Sequence, residues 1–259
     1  MRKTESQKTE NSYGYVPAYN PVLMRVILAA FAGCLFAVLA FSQDKTVPVA
    51  EEGHHQMVLE NEYTRVFHVV VPPKESTLVH QHDRDYVWVQ IGSADLSNAR
   101  VGSAAADVKL ADGEVKFAKG GFAHKVTDVG DTPFVNVTIE VKKASTKAIY
   151  GASWAEVKPE KPEGGLISIA GPGGQIANLA TDAVEAHTYF TTGSGTGVTP
   201  GDADNPRLLV AVSALRCACG GPQDKEMKSG DVTWVAKGTA AKVSKTDSKG
   251  ARFVMVSFK

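Results

Sequence analysis

Leu78-Val-His80-Gln-His82-Asp-Arg-Asp-Tyr86-Val-Trp88-Val-Gln-Ile91 decides how this chain is read. Its valines and aromatics are strand formers, and Gly92 closes the run. Read as one strand over residues 77–91, it puts alternate side chains on one face, so His80, His82, Tyr86 and Trp88 project together. Converging neutral imidazoles are what a first-row divalent metal needs. A third histidine, His124, ends the segment Gly113-Glu-Val-Lys-Phe-Ala-Lys-Gly-Gly121-Phe-Ala-His124. On a neighbouring strand it would complete the cluster.

Working outward, Tyr63-Thr-Arg-Val-Phe-His-Val-Val-Val71 and Phe134-Val-Asn-Val-Thr-Ile-Glu-Val141 have the same strand composition. Pro72-Pro73 stops the first, and the turn Gly130-Asp-Thr-Pro133 precedes the second. The stretch from Ser93 to Ala111 is softer. No long segment carries helical periodicity. Short strands set between Gly, Pro and Asp clusters predict an all-β sandwich or barrel.

The pattern then begins again. Gly230-Asp-Val-Thr-Trp-Val-Ala-Lys-Gly-Thr-Ala-Ala241-Lys-Val243 lies ungapped over Gly113 to Val126. Pro206-Arg-Leu-Leu-Val-Ala-Val212 follows Gly201-Asp-Ala-Asp as Asp85 to Ile91 follows His80-Gln-His-Asp. This is an internal repeat. In the second copy His80, His82 and His124 fall on Gly201, Ala203 and Ala241, so the fold is repeated without its candidate ligands. The expected organisation is a leader over residues 1–43, a first domain over 54–150, a linker over 151–165 and a second domain over 166–259. The run Lys158-Pro-Glu-Lys-Pro-Glu-Gly-Gly165 marks the linker.

On these residues the chain resembles the cupin superfamily, as a two-domain bicupin with a degenerate second domain. The first cupin motif reads Gly, five residues, His-x-His, three or four residues, Glu, six residues, Gly. His80 and His82 match it, Tyr86 stands at the Glu, Lys74 at the opening Gly, and Gly92 closes one residue early. The second motif reads Gly, five residues, Pro-x-Gly-x-x-His, three residues, Asn. Gly113, Gly121 and His124 match, while Lys119 replaces the Pro and Asp128 the Asn. The resemblance implies two tandem jelly-roll β-sandwich domains. It implies a divalent ion such as Fe, Mn or Zn on His80, His82 and His124, with Tyr86 and Trp88 in the pocket. A phenol is a hydrogen-bonding group rather than a strong ligand, so three-histidine ligation with exchangeable waters is expected.

Lys plus Arg and Asp plus Glu number 28 each, which argues against a nucleic-acid partner. The apolar run from Val26 to Phe41 follows Arg25 and ends in Ala40-Phe41-Ser42, a small-x-small cleavage site. It reads as a signal peptide starting at Met24, with a periplasmic or secreted product and no stable membrane insertion after its removal. An uncleaved signal anchor is the alternative. Cys217 and Cys219, two apart on a strand, are expected as small buried hydrophobes rather than a bonded pair.

Two functions remain open. One is a metalloenzyme acting on a small organic molecule, dioxygenase-like or isomerase-like. The other is a non-catalytic small-molecule-binding cupin of the cell envelope. A homodimer is compatible with both. Gln90 and Asn136 are candidates for the same pocket, whereas His54, His55, His68 and His187 are set aside as incidental.

Overall fold

The computed structural model describes residues 45–146, 173–191, 204–221, 223–247 and 250–259. The leader, the signal segment, the Lys158–Gly165 linker, Gly201 and Ala203 lie outside them. Within these limits the protein is all-β, and its helical structure among the described residues is one 3-10 turn, Val49–Glu51.

The first half is a jelly-roll sandwich of two five-stranded sheets. One sheet joins β1 (Val47–Pro48), β4 (His80–His82), β9 (Phe122–Asp128), β6 (Ala94–Arg100) and β7 (Ala106–Leu110), in that order. The other joins β2 (His55–Glu60), β3 (Thr64–Val71), β10 (Phe134–Val141), β5 (Tyr86–Ile91) and β8 (Val115–Ala118). Pairing is antiparallel except between β1 and β4, where Val47 lies against His80. The first half therefore opens at Val47, before His54. The single strand expected over 77–91 is two strands in opposite sheets. Asp85 anchors the crossover, accepting bonds from the Gly120 amide at 3.1 Å, Lys119 Nζ at 2.9 Å and the Ser145 amide at 3.0 Å. The soft stretch after Ser93 is the β6–β7 hairpin.

The second half repeats this plan. Its larger sheet runs β11 (Gly173–Ala180), β12 (Val184–Thr191), β18 (Ala251–Phe258), β13 (Arg207–Ala211), β16 (Val232–Val235), the same order as β2-β3-β10-β5-β8. Its smaller sheet holds β15 (Lys225–Met227), β14 (Leu215–Ala218) and β17 (Lys242–Lys245). The repeat extends to single hydrogen bonds. Gly113 N meets Gln90 O at 2.9 Å, and Gly230 N meets Ala211 O at 2.8 Å. Both glycines hold a positive φ, 80° and 89°, which a side chain would strain.

Strand alternation explains how the halves join. On β5 and β10 the even positions Tyr86, Trp88, Asn136 and Thr138 face the interior of the first sandwich. The odd positions Val87, Val89, Val137, Ile139 and Val141 face outward and share one apolar core with Val184, Leu208, Val210, Val254 and Val256 of the second half. Asp44–Lys259 is accordingly one compact unit. Arg252 pairs with Asp112 across the junction, and Tyr63 stacks on Trp234 at 5.7 Å. The cysteine expectation is corrected: Cys217 and Cys219 form a disulfide with Cα atoms 5.4 Å apart. Cys219 lies beyond the end of β14, where the chain bends toward Gly220, and this brings the pair within disulfide range.

Candidate metal centre

His80 and His82 project from β4 into the first sandwich, and β9 sets His124 directly opposite His80. The rings of His80 and His124 lie 4.5 Å apart, those of His80 and His82 5.1 Å, and those of His82 and His124 5.4 Å. All three residues are buried. The glycines of the second motif supply the local cause. Gly121 adopts φ 88°, and its amide donates to the His82 carbonyl at 2.7 Å. That bond ties the β8–β9 turn to the His82 backbone and sets the register in which His80 meets His124.

The outer nitrogens show which atoms face inward. His80 Nδ1 lies 3.0 Å from the Leu78 carbonyl, which can only accept, so Nδ1 carries the proton and the Nε2 lone pair is left over. His124 Nδ1 meets Asn98 Oδ1 at 3.0 Å with the same result. His80 Nε2 and His124 Nε2 are both buried and hydrogen-bonded to nothing. Burial strips the charged form of its hydration, and the neighbouring imidazoles add to the effect. His80 is lowered to about 3 and His124 to about 2. Neutral rings with buried, unsatisfied lone pairs are the chemistry of a metal donor, because an orphaned polar atom is otherwise costly to bury.

Tyr86 and Trp88 line the same cavity of about 100 Å³. They reach it from the facing sheet rather than from an extension of the histidine strand. Tyr86 stacks on His82 with ring centroids 4.2 Å apart. Burial pushes its phenol well above the usual range, so it remains a neutral hydrogen-bonding group. Asn136 lines the cavity beside Thr138, whose hydroxyl donates to Asn136 Oδ1 at 2.9 Å. Gln90 does not line it; its amide turns to the Gly92 carbonyl at 2.9 Å. Val69, Leu96, Val108, Leu110, Val126 and Phe134 make the rest of the wall largely apolar.

Sequence reasoning passed over three contributors. His55 enters from β2, its ring 4.6 Å from His80 and 5.9 Å from His82. Ring nitrogens of His55, His80 and His82 lie within 4.8 Å of one another. Glu52 binds His55 Nδ1 at 2.6 Å. Burial opposes its ionisation, but bonds from His55, His54 and the Leu78 amide outweigh burial and hold its carboxyl at about 2. Glu140 faces Tyr86 across β10 and β5. Arg65 takes its Oε2 through Nε at 2.9 Å, while Oε1 sits 3.6 Å from His82 Nδ1. The readable signal was Glu52-Gly-His-His, a carboxylate just ahead of a histidine pair.

No family model matches the chain, and no curated protein sequence does. Solved structures match it by fold. Salicylate 1,2-dioxygenase from Pseudaminobacter salicylatoxidans superposes with a TM-score of 0.56 at 11% identity, over 91% of this chain and 82% of that one. A glycine-to-alanine variant of that enzyme in complex with gentisate gives 0.56 at 11%, over 94% and 92%. AerE from Microcystis aeruginosa gives 0.55 at 9%, over 80% and 98%. The duplicated jelly roll agrees in fold with these structures along most of the chain, and the histidine cluster lies inside its first copy.

Proposed function

We propose that this chain is an exported metalloenzyme in which the first cupin domain holds a divalent ion, with iron a leading choice, on His80, His82 and His124. The observation that carries this reading is the pair of buried Nε2 lone pairs on His80 and His124, left over once each Nδ1–H donates to Leu78 O or Asn98 Oδ1. Imidazole donors suit iron, manganese and zinc alike. When bound, such an ion supplies Lewis acidity and exchangeable coordination positions.

The chain's own residues do the rest. Leu96, Leu110, Val126 and Phe134 give the cavity apolar walls, and a low-dielectric wall strengthens polar contacts beside it. Asn136 and Tyr86 offer amide and phenol groups that orient a small polar molecule against the histidines. The structurally similar dioxygenase variant carries gentisate, and a small oxygenated organic acid of that kind is the substrate class to try first. Dioxygenase-like or isomerase-like chemistry is compatible with the donor set.

Elemental analysis of protein purified without chelator tests the reading. We expect about one ion per chain, lost in His80→Ala. A stable, metal-free protein that still binds a small organic acid would instead support a non-catalytic binding role. Export through the segment Met24–Phe41 belongs to the proposal. N-terminal sequencing from the native host should find a chain starting near Gln43. An intact segment in the membrane fraction would mark an anchor.

A further inference from the structure

We infer that His55 is a fourth ligand of the metal site, that Glu52 holds it in place, and that it compensates for the carboxylate absent at Tyr86. The inference rests on the metal reading above and extends it to a residue outside both histidine motifs. His55 is buried at the start of β2, in the sheet facing β4. Its Nδ1 is committed to Glu52 Oε2 at 2.6 Å, and a carboxylate accepts, so Nδ1 carries the proton and Nε2 is the free donor.

Glu52 is itself fixed on every side. Oε2 also accepts from the His54 amide at 2.9 Å, and Oε1 from the Leu78 amide at 3.1 Å, with His54 Nδ1 at 2.9 Å. Leu78 is the residue whose carbonyl holds His80. One buried carboxylate therefore sets His55 directly and His80 through a single residue, Leu78.

Two other rings of the cluster are held on the same side. Leu78 accepts from His80 Nδ1 and Asn98 from His124 Nδ1, whereas Glu140 Oε1 stops 3.6 Å short of His82 Nδ1 and makes no hydrogen bond to it. Glu140 is the other candidate for a replacement carboxylate ligand. Arg65 engages its Oε2, however, and its Oε1 lies on the Nδ1 side of His82, 3.6 Å from that nitrogen. A histidine that merely filled the core would not need a buried ionised carboxylate on its outer nitrogen while its ring sits 4.6 Å from His80.

The test loads the full-length chain with Co(II) and counts imidazole ligands by X-ray absorption. Affinity is measured in parallel by competition with a chelator. We expect four imidazoles in the wild type, three in His55→Ala, and at least a tenfold loss of affinity, about 1.4 kcal/mol. Glu52→Gln should keep four imidazoles and lose about tenfold to a hundredfold in affinity, as expected for an outer-shell partner. Three imidazoles in the wild type, with unchanged affinity in His55→Ala, would overturn the inference and leave the three-histidine site standing. Failure of the wild type to bind Co(II) would overturn both. The wild-type count decides the matter even if His55→Ala fails to fold.

Discussion

At the scale of single residues, the site is a store of suppressed protonation. His80 and His124 are held neutral down to about 3 and about 2, and His55 is lowered from its ordinary value. In the unfolded chain each titrates near 6.5. Between these limits the unfolded state binds more protons, so stability rises with pH there and falls as the pH drops from about 6.5 toward 3. Glu52, lowered to about 2, acts in the same direction over a lower window, from about 4.5 downward. Thermal melts of chelator-treated protein should show the midpoint falling steeply between pH 6.5 and 4, and His124→Ala should flatten that slope. Tyr86→Phe, which keeps the ring stacked on His82, should retain the metal and change substrate affinity instead. Loss of the ion in that variant would make the phenol a true ligand. The histidines at His80, His82 and His124 were legible because strand parity and motif spacing are local signals. His55 was not, because its partners lie in the opposite sheet and only folding brings them together.

At the scale of elements, the β8–β9 turn carries the site's precision. A Cβ at Gly120 would lie 2.5 Å from the backbone carbon of Arg84, with no flexible side chain to give way. Gly120→Ala should therefore cost more than about 2 kcal/mol in urea unfolding and weaken metal binding together with stability. An unchanged midpoint would show that the turn can move without disturbing His82. The strands around Phe67, Val87 and Val137 were readable because nearly continuous apolar runs mark strands buried on both faces. The β6–β7 hairpin was not. Its exposed positions interrupt the alternation, although it carries the Asn98 that holds His124. Parity placed Tyr86 in the pocket, but through a strand that in fact breaks at Asp85 and resumes in the opposite sheet.

At the scale of the whole molecule, the two halves share an apolar core, so they should unfold together. Calorimetry of the metal-free protein should show one transition, and two separated transitions would contradict the shared core. Val210→Asp, in the half without the histidine cluster, should destabilise the protein by several kcal/mol and lower metal retention in the other half, because it leaves a charge unpaired at the junction. Arg252→Ala removes a partly exposed ion pair and should cost less than about 1 kcal/mol. The repeat was legible in the sequence. The junction was not, since nothing in one chain's pattern says which outward face meets which. The shared sheet also sets what natural selection can see in the second copy. Ala241, which lies over His124 in the repeat, fills its site with a buried methyl, so the second copy packs without a histidine there. A charge at Leu208 or Val256 would strip the cover from the wall behind the histidine cluster, so the second half is constrained by what it covers.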